Sequence, residues 1–235
     1  MSVEISLCTY LSARNEHLAQ TLPNWLRVRG IGEIVIFDWG SAPVKAWDVV
    51  KQYRDPRIVY LEGTGTERFH RSISRNVSIR ASTGRILFHP DADVKVVGSS
   101  LPRLPGPCQF IRGGGRSGAT GQMGKTVGTV LMWREQWEKV NGYNELMFGW
   151  GGEDLDFYKR LRGENMEEVR TTSAFFHLDH PDALRVLGQD NSIQQSVRDN
   201  GKISETVDWS DKSTYRQRAM TCIRRCNGKE TIVTL

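Results

Sequence analysis

Three short segments of the sequence concentrate side chains that could bind a metal ion or take up a proton. The first is Asp91-Ala92-Asp93, which follows an apolar run and Pro90. Two carboxylates separated by one residue at the end of a strand point the same way. They can therefore share a hard divalent cation, or divide metal and sugar contacts between them. A solvated turn is the alternative interpretation of this acidic pair.

The second segment, 148–156, is rich in glycines and acids. Its glycines allow a sharp turn into a helix, which places Glu153 and Asp154 in the first helical turn, where unpaired backbone N–H groups stabilise negative charge. An ionised Asp154 is an available proton acceptor for an attacking alcohol at neutral pH. Trp150 offers a flat apolar face of the kind that stacks on a sugar ring. An acidic helix cap beside a core aromatic residue is the alternative.

The third segment is His177-Leu178-Asp179-His180, which closes an apolar run. On a straight strand, positions three apart face opposite sides, so both imidazoles reach one ion only if the chain bends, as the following Pro181 favours. Imidazole with carboxylate oxygen suits Mn²⁺ or another transition ion better than Ca²⁺. Asp179 could orient one of the metal ligands without itself touching the metal. The alternative is that the histidines have a structural role.

Short β-rich runs alternate with helix-length segments in the first half of the chain. The spacing predicts strands at 3–10, 33–37, 57–61 and 85–89, with helices at 15–28, 43–53 and 69–82. Such alternation is typical of crossover units and a mostly parallel sheet, whose ligands bind at the carboxyl ends of the strands. The polar residues that close these runs are therefore candidate ligand contacts: Thr9, Asp38, Glu62 and Asp91.

The pattern changes after Asp93. The glycine-dense stretch 112–124 is too poor in apolar residues to be core, and it is either a lid over a site or a plain surface loop. Beyond it we expect a strand at 127–133 and helices near 134–140 and 153–163. The last stretch, 191–235, is predicted to be helical and basic, with a face that could lie on an anionic membrane or simply be solvated.

Composition bounds the class of protein. The chain has 235 residues and a formal net charge of +5, which favours acidic partners such as nucleotides without indicating nucleic-acid binding. No apolar run approaches the ~20 residues of a membrane span, and the amino terminus lacks a secretory profile. We therefore expect a cytoplasmic protein with at most peripheral membrane contact. The four scattered cysteines suggest reduced thiols, and the sequence leaves the oligomeric state open.

Two stretches of the sequence resemble a known family. The run 75–88, which begins Arg75-Asn76 and leads into Asp91-Ala92-Asp93, resembles the segment before the DxD motif of GT-A glycosyltransferases. The downstream run 134–145, followed by the Trp-Gly-Gly-Glu-Asp motif at 150–154, is similar to the carboxyl half of β-1,4-galactosyltransferases and chondroitin-polymerase-type enzymes. The resemblance covers about 3–181, and its specificity lies in the order of independent motifs.

The resemblance implies a GT-A fold: an α/β, Rossmann-like mixed sheet flanked by helices, as a single domain with a helical tail. It implies a catalytic domain at 1–190, divided into a nucleotide-binding half at 1–95 and a metal and acceptor half at 96–190, with the extension at 191–235 packed on it or trailing.

The resemblance also implies roles for individual residues. The metal ligands would be Asp93, His180 and His177, holding Mn²⁺ or Mg²⁺. Asp154 would be the catalytic base, assisted by Glu153, which would hold acceptor or donor hydroxyls. Contacts to the nucleotide or donor sugar would come from a wider set: Thr9, Asp38, Arg75, Asp91, Trp150 and Gly152.

The function that follows is an inverting transferase that moves a hexose or hexosamine from a UDP-sugar to a sugar hydroxyl of a glycan or glycolipid. A retaining transferase of the polypeptide N-acetylgalactosaminyl type is the nearest rival, but it carries asparagine where this chain has Asp154. A module that binds sugar nucleotides or glycans without catalysis is a further alternative. A nucleotidyltransferase is disfavoured, because 11–15 lacks the glycine-rich loop such enzymes place after the first strand.

Overall fold

Parallel strands and helices alternate through the first half of the protein, as the sequence predicts. The computed structural model describes residues 4–41, 45–64, 68–115, 121, 125–181 and 192–235. The β-branched runs form strands buried on both faces, as a parallel sheet covered by helices requires. The elements are β1 (Ile5–Leu11), α1 (Asn15–Trp25), β2 (Ile31–Asp38), α2 (Trp47–Val50), β3 (Ile58–Gly63), α3 (Arg71–Arg80) and β4 (Ile86–His89).

Shorter strands and helices make up the second half. In chain order they are β5 (Val94–Val96), β6 (Gln109–Gly113), β7 (Val130–Trp133), α4 (Arg134–Lys139), α5 (Glu153–Gly163), β8 (Glu167–Thr171), β9 (Phe175–His177), α6 (Ile193–Thr206), β10 (Thr221–Cys226) and β11 (Lys229–Thr234). The helix predicted at 153–163 has these bounds in the structure, because glycine precedes its first turn and ends its last.

The main sheet has nine strands in the order β11-β10-β3-β2-β1-β4-β7-β6-β8. Strands β1 to β4 run parallel, whereas β7 and β10 are antiparallel to β4 and β3. The four parallel strands therefore open their carboxyl ends toward one edge of the sheet, where ligands of such folds bind.

A separate two-stranded sheet lies beside that edge. Its strands β5 and β9 pair antiparallel, with Val94 opposite His177. The indole N–H of Trp25 in α1 donates to the carbonyl of Val94 at 2.9 Å, which ties this small sheet to the first helix. The pairing matters for the site because β5 begins directly after Asp93 and β9 ends at His177.

The prediction of a helical carboxyl-terminal tail is wrong for its last part. Helix α6 is present, but β10 and β11 form a hairpin that pairs with β3. Arg225 belongs to β10, which lies between β11 and β3 in the sheet. Its guanidinium lies 5.1 Å from the Trp47 ring centroid and contacts Glu62 at 2.7 Å. Ion pairing and burial of Cys222 stabilise strand pairing in a segment whose composition suggested a solvated helix.

The glycine-dense stretch also differs from expectation. Its first residues, Arg112 and Gly113, belong to β6, where Gly113 pairs with Thr171 of β8. A side chain at Gly113 would bring its Cβ to 2.3 Å from the Thr126 carbonyl oxygen, so the glycine permits close backbone approach. Residues 116–120 and 122–124 lie outside the described part of the chain, and the lid stays a prediction.

Candidate active site

The three predicted metal ligands lie together. Single donor atoms of Asp93, His177 and His180 fall within 4.8 Å of one another. His180 Nε2 is 3.2 Å from one carboxylate oxygen of Asp93, and His177 Nε2 is 3.8 Å from the other. The β5–β9 pairing brings the first two residues side by side, and the chain then bends, as both imidazoles require.

Two contacts hold that bend from opposite sides. The backbone N–H of Leu178 donates to the carbonyl of Asp93 at 2.8 Å. From α1, the imidazole of His17 is hydrogen-bonded to the backbone of Asp179, and its ring meets His180 edge-on at a centroid distance of 5.6 Å. His17 was not among the residues predicted from the sequence, because only the folded chain brings α1 against the bend.

The Asp93 carboxylate is held in its charged form. Burial alone would raise its pKa, but the hydrogen bond with His180 and the charges of His177 and Arg14 hold it well below its usual range. The Arg14 guanidinium lies 2.9 Å from the oxygen that faces His180. One carboxylate oxygen with two imidazole nitrogens fits a divalent transition ion such as Mn²⁺, so this cluster could hold a metal ion.

Arg75 is an internal cation rather than an open phosphate contact. Its side chain is only 2% exposed, and its terminal nitrogens face Asp91 at 3.0 Å, Glu153 at 3.5 Å and the carbonyl of Gly128 at 3.2 Å. Because these oxygens already surround it, Arg75 ties the acidic pair after β4 to the acidic start of α5. Its predicted contact with the nucleotide stays a prediction.

Asp154 occupies the first turn of α5 and lines the same cavity as the metal-binding cluster. Burial, followed by the nearby charges of Glu153 and Asp91, raises its pKa to about 6, while Arg75 acts in the opposite direction. One oxygen accepts the backbone N–H of Leu155 at 2.8 Å. Asp154 is thus a stronger base than a free aspartate and remains largely ionised at neutral pH.

The loop before α5 depends on glycine and on a distant asparagine. Gly151 and Gly152 have φ values of +90° and +98°, which residues with a side chain rarely adopt. The buried Asn200 of α6 donates to the carbonyl of Gly151 at 2.8 Å and to that of Phe148 at 3.1 Å. Asn200 was missed from the sequence, where it is one polar residue in a polar amphipathic helix.

The candidate site is a cavity of about 590 Å³ at the carboxyl edge of the parallel strands. Nine of the predicted site residues line it: Arg75, Asp91, Asp93, Trp150, Gly152, Glu153, Asp154, His177 and His180. Several residues that the sequence analysis missed also line it: Tyr10, Arg14, Phe69, Arg71, Lys125, Leu155, Ile193 and Val197.

Thr9 and Asp38 are not among the residues that line this cavity. Both are fully buried, and the Thr9 hydroxyl donates to the carbonyl of Pro90 at 2.9 Å. Asp38 accepts hydrogen bonds from the Ser41 hydroxyl at 2.7 Å and the Tyr60 hydroxyl at 2.9 Å, and three backbone N–H groups complete its shell. In this structure they order the strand ends, and their predicted contacts with donor stay predictions.

Comparison with known proteins agrees with this architecture. The family model described as the N-terminal domain of galactosyltransferase matches residues 117–181. The catalytic domain of Drosophila β1,4-galactosyltransferase 7 in complex with xylobiose superposes with a TM-score of 0.63 at 17% identity, covering 98% of this chain and 92% of that one. A mutant of the same enzyme, in complex with manganese, UDP-Gal and xylobiose, gives the same values.

A mannosyltransferase from Pyrobaculum calidifontis, in complex with GDP-Man and Mn²⁺, has a TM-score of 0.58 at 14% identity, covering 76% of this chain and 57% of that one. Sequence comparison with curated proteins finds no match. None of the helices in the described ranges is both long and apolar enough to cross a membrane.

The chain therefore has the GT-A fold of glycosyltransferases. Within that class, the family model over residues 117–181 and the Drosophila structures show a similarity to galactosyltransferases. The expected fold class and resemblance are confirmed.

Proposed function

We propose that this protein is a metal-dependent, inverting glycosyltransferase that moves a hexose or hexosamine from a UDP-sugar to a hydroxyl of a sugar acceptor. One observation carries the proposal: a carboxylate with a raised pKa, Asp154, shares one cavity with the Asp93, His177 and His180 cluster. The manganese and UDP-Gal bound by a structural neighbour support the same choice of metal and donor.

The charged part of the cavity suits a nucleoside diphosphate. Asp93, His177 and His180 would hold the ion, which when bound stabilises negative charge on the departing diphosphate. Arg14, Arg71 and Lys125 line the same cavity and add positive charge for phosphate oxygens. The metal site and these cations together would attract a donor that carries two negative charges, which fits the small positive net charge of the chain.

Asp154 would act as general base. The acceptor hydroxyl transfers its proton to the Asp154 carboxylate while its oxygen forms a bond to the anomeric carbon, and the bond from that carbon to the diphosphate oxygen breaks. The electron pair leaves with UDP, and attack from the opposite face inverts the anomeric centre. Glu153, held by Arg75, would accept hydrogen bonds from sugar hydroxyls.

The Asp154→Asn variant tests the base directly. We expect turnover to fall by roughly 100- to 10,000-fold, because the amide cannot take the proton, while UDP affinity stays within a few-fold. The measurement is UDP release with a panel of UDP-sugars and acceptors, beside Mn²⁺-dependent UDP binding. Turnover like that of the wild type would contradict the assignment.

Anomeric configuration of the product, read by NMR, separates inversion from the retaining alternative.

Asp48→Asn serves as a matched control for Asp154→Asn, because Asp48 is an exposed aspartate on α2, paired with Lys51 and away from the cavity. A wild-type protein that binds UDP and Mn²⁺ but releases no UDP with any acceptor would indicate the non-catalytic binding module.

A further inference from the structure

The cavity has an apolar wall next to the proposed base. Leu155 follows Asp154 directly in α5 and is 54% exposed, although leucine is usually buried. Val197 of α6 is 43% exposed, and Ile193 lies one helical turn before it. All three line the cavity together with Trp150. Single exposed apolar residues are ordinary, but several around one functional cavity indicate a binding surface.

Contacts along α6 explain how its apolar residues reach the cavity. Ile193, Val197, Asn200 and Ser204 share one face of the helix, since they are spaced by three or four residues. Along that face, the Ser204 carbonyl accepts a hydrogen bond from Lys159, and Asn200 holds the loop before α5.

The same face continues toward the site. Val197 Cγ2 would lie 3.0 Å from a Cβ built at Gly151, so the valine packs against the loop. Ile193, one turn further, extends this face to the cavity wall beyond the loop.

The chemistry of the lining residues divides into two classes. Ionised or polar side chains follow β1, β4 and β9 and suit a metal ion and a diphosphate. Trp150, Leu155, Ile193 and Val197 come from the loop between Gly149 and Gly152, from α5 and from α6, while other apolar lining residues such as Phe69 and Val127 lie elsewhere in the chain. An acceptor whose hydroxyl faces Asp154 would therefore place the group attached to its sugar against hydrocarbon and an indole ring rather than against charge.

We propose that the acceptor is a glycoside with an apolar aglycone, alkyl or aryl, bound by Trp150, Leu155, Ile193 and Val197. This inference rests on the proposed function, because it takes Asp154 as the base that faces the acceptor hydroxyl. It narrows the acceptor from any sugar hydroxyl to a sugar attached to a hydrophobic group. Burying that group removes apolar surface of both partners from water.

The test compares methyl, n-hexyl and phenyl glycosides of the same sugars, across a panel of pyranoses. Binding is measured by calorimetry with Mn²⁺ and UDP present, and KM is measured wherever transfer occurs. We expect hexyl or phenyl glycosides to bind at least tenfold more tightly than the methyl glycoside. A stronger preference for hexyl would indicate an alkyl chain, and one for phenyl would indicate an aryl group.

Leu155→Ser and Val197→Ser should each reduce that preference severalfold. The readout is the ratio of affinities for the apolar and methyl glycosides, which general damage to the enzyme does not change selectively. Ile232→Ser is the matched control, since Ile232 is an apolar residue on β11 that is 77% exposed and not among the cavity-lining residues. Its ratio should equal that of the wild type.

Equal binding of all three aglycones, or a preference that survives both serine substitutions, overturns the inference. Failure of the proposed function looks different, because the wild-type protein would then show no metal-dependent UDP binding and no UDP release from any donor.

Discussion

Asp154 and Asp93 are both largely enclosed carboxylates, yet their surroundings shift their pKa values in opposite directions. Asp93 faces Arg14 and two imidazoles, which favour its charged form. Asp154 has acidic neighbours, so burial and repulsion favour its protonated form. One cavity therefore combines a carboxylate that is held in its charged form, Asp93, with one that can exchange a proton near neutral pH, Asp154.

The raised pKa of Asp154 predicts the pH dependence of turnover. A general base works only when deprotonated, so kcat/KM should rise as the pH increases through about 6 and level off above it. The measurement is a pH profile of UDP release at saturating Mn²⁺, with UDP binding followed in parallel. If kcat/KM instead rises near the ordinary pKa of an aspartate, the assignment of Asp154 as a base with a raised pKa is contradicted.

His17 should affect the metal site without touching the metal. Its hydrogen bond to the backbone of Asp179 holds the bend that carries both imidazole ligands. We expect His17→Ala to weaken Mn²⁺ binding about 10- to 100-fold, with partial recovery in His17→Asn, which keeps an N–H donor. Calorimetric titration of Mn²⁺ checks this, and Gln20→Ala, an exposed change on the same helix, is the control. Unchanged affinity in a folded His17→Ala protein would refute the positioning role.

The residues at the site show what sequence patterns can and cannot reveal. Asp93, His177 and His180 were predicted together because the order of the motifs and the family resemblance assign them to one metal ion, and the structure brings their donor atoms within 4.8 Å of one another. Arg14 and His17 were not, because an arginine and a histidine near the start of an amphipathic helix look like solvated residues. Their importance comes from tertiary packing of α1 against the bend after β9, which no local pattern encodes.

Helix α6 acts as a brace for the glycine-rich loop before α5, residues 148–152. Asn200 is 2% exposed and donates hydrogen bonds to two carbonyls in the loop before α5. The glycines of this loop have positive φ values and give its backbone little rigidity of its own. The loop presents Trp150 and leads into Asp154, so its shape bears on acceptor geometry. The metal ligands lie on other elements and do not depend on this brace.

The Asn200→Ala variant should separate those two parts of the site. We expect the free energy of unfolding to fall by about 1–3 kcal/mol, because two partly buried carbonyls lose their donor. Turnover should fall while Mn²⁺ affinity is kept. Urea unfolding, UDP release and Mn²⁺ titration measure the three effects, with exposed Lys202→Ala as control. An equal loss of Mn²⁺ affinity would show that the brace supports the whole cavity instead.

Helices and strands could be predicted where the apolar pattern was long or where flanking glycines marked its ends. The first four strands and α5 have strong apolar runs or flanking glycines, and they were placed within a few residues. Strands β5, β6 and β8 have only three to five residues each. Strands this short contain too few residues for an apolar or alternating pattern to be recognised. The strands that pair with them are also distant in the sequence. Strand β10 was missed because Arg224 and Arg225 interrupt its apolar pattern, and the carboxylates that pair with Arg225 lie on β3 and β11.

At the scale of the whole molecule, motif order predicted the GT-A fold, whereas strand order did not follow from the sequence. Nothing local in 221–234 shows that the last hairpin extends the sheet beyond β3. The hairpin nevertheless protects that strand: Cys222 to Cys226 pair with Val59 to Gly63, so the edge β3 would otherwise expose is covered.

The pairing of β5 with β9 also bears on how the protein assembles. Positions 93 and 177 are far apart in the chain, so the entropy of closing a long loop must be overcome before their donors meet. In a partly folded chain a metal ion would therefore meet only part of its ligand set, because His177 and His180 are close in the sequence and Asp93 is not. Binding of the metal ion by all three residues would instead belong to the last stage of folding, after the two segments that carry them have packed together.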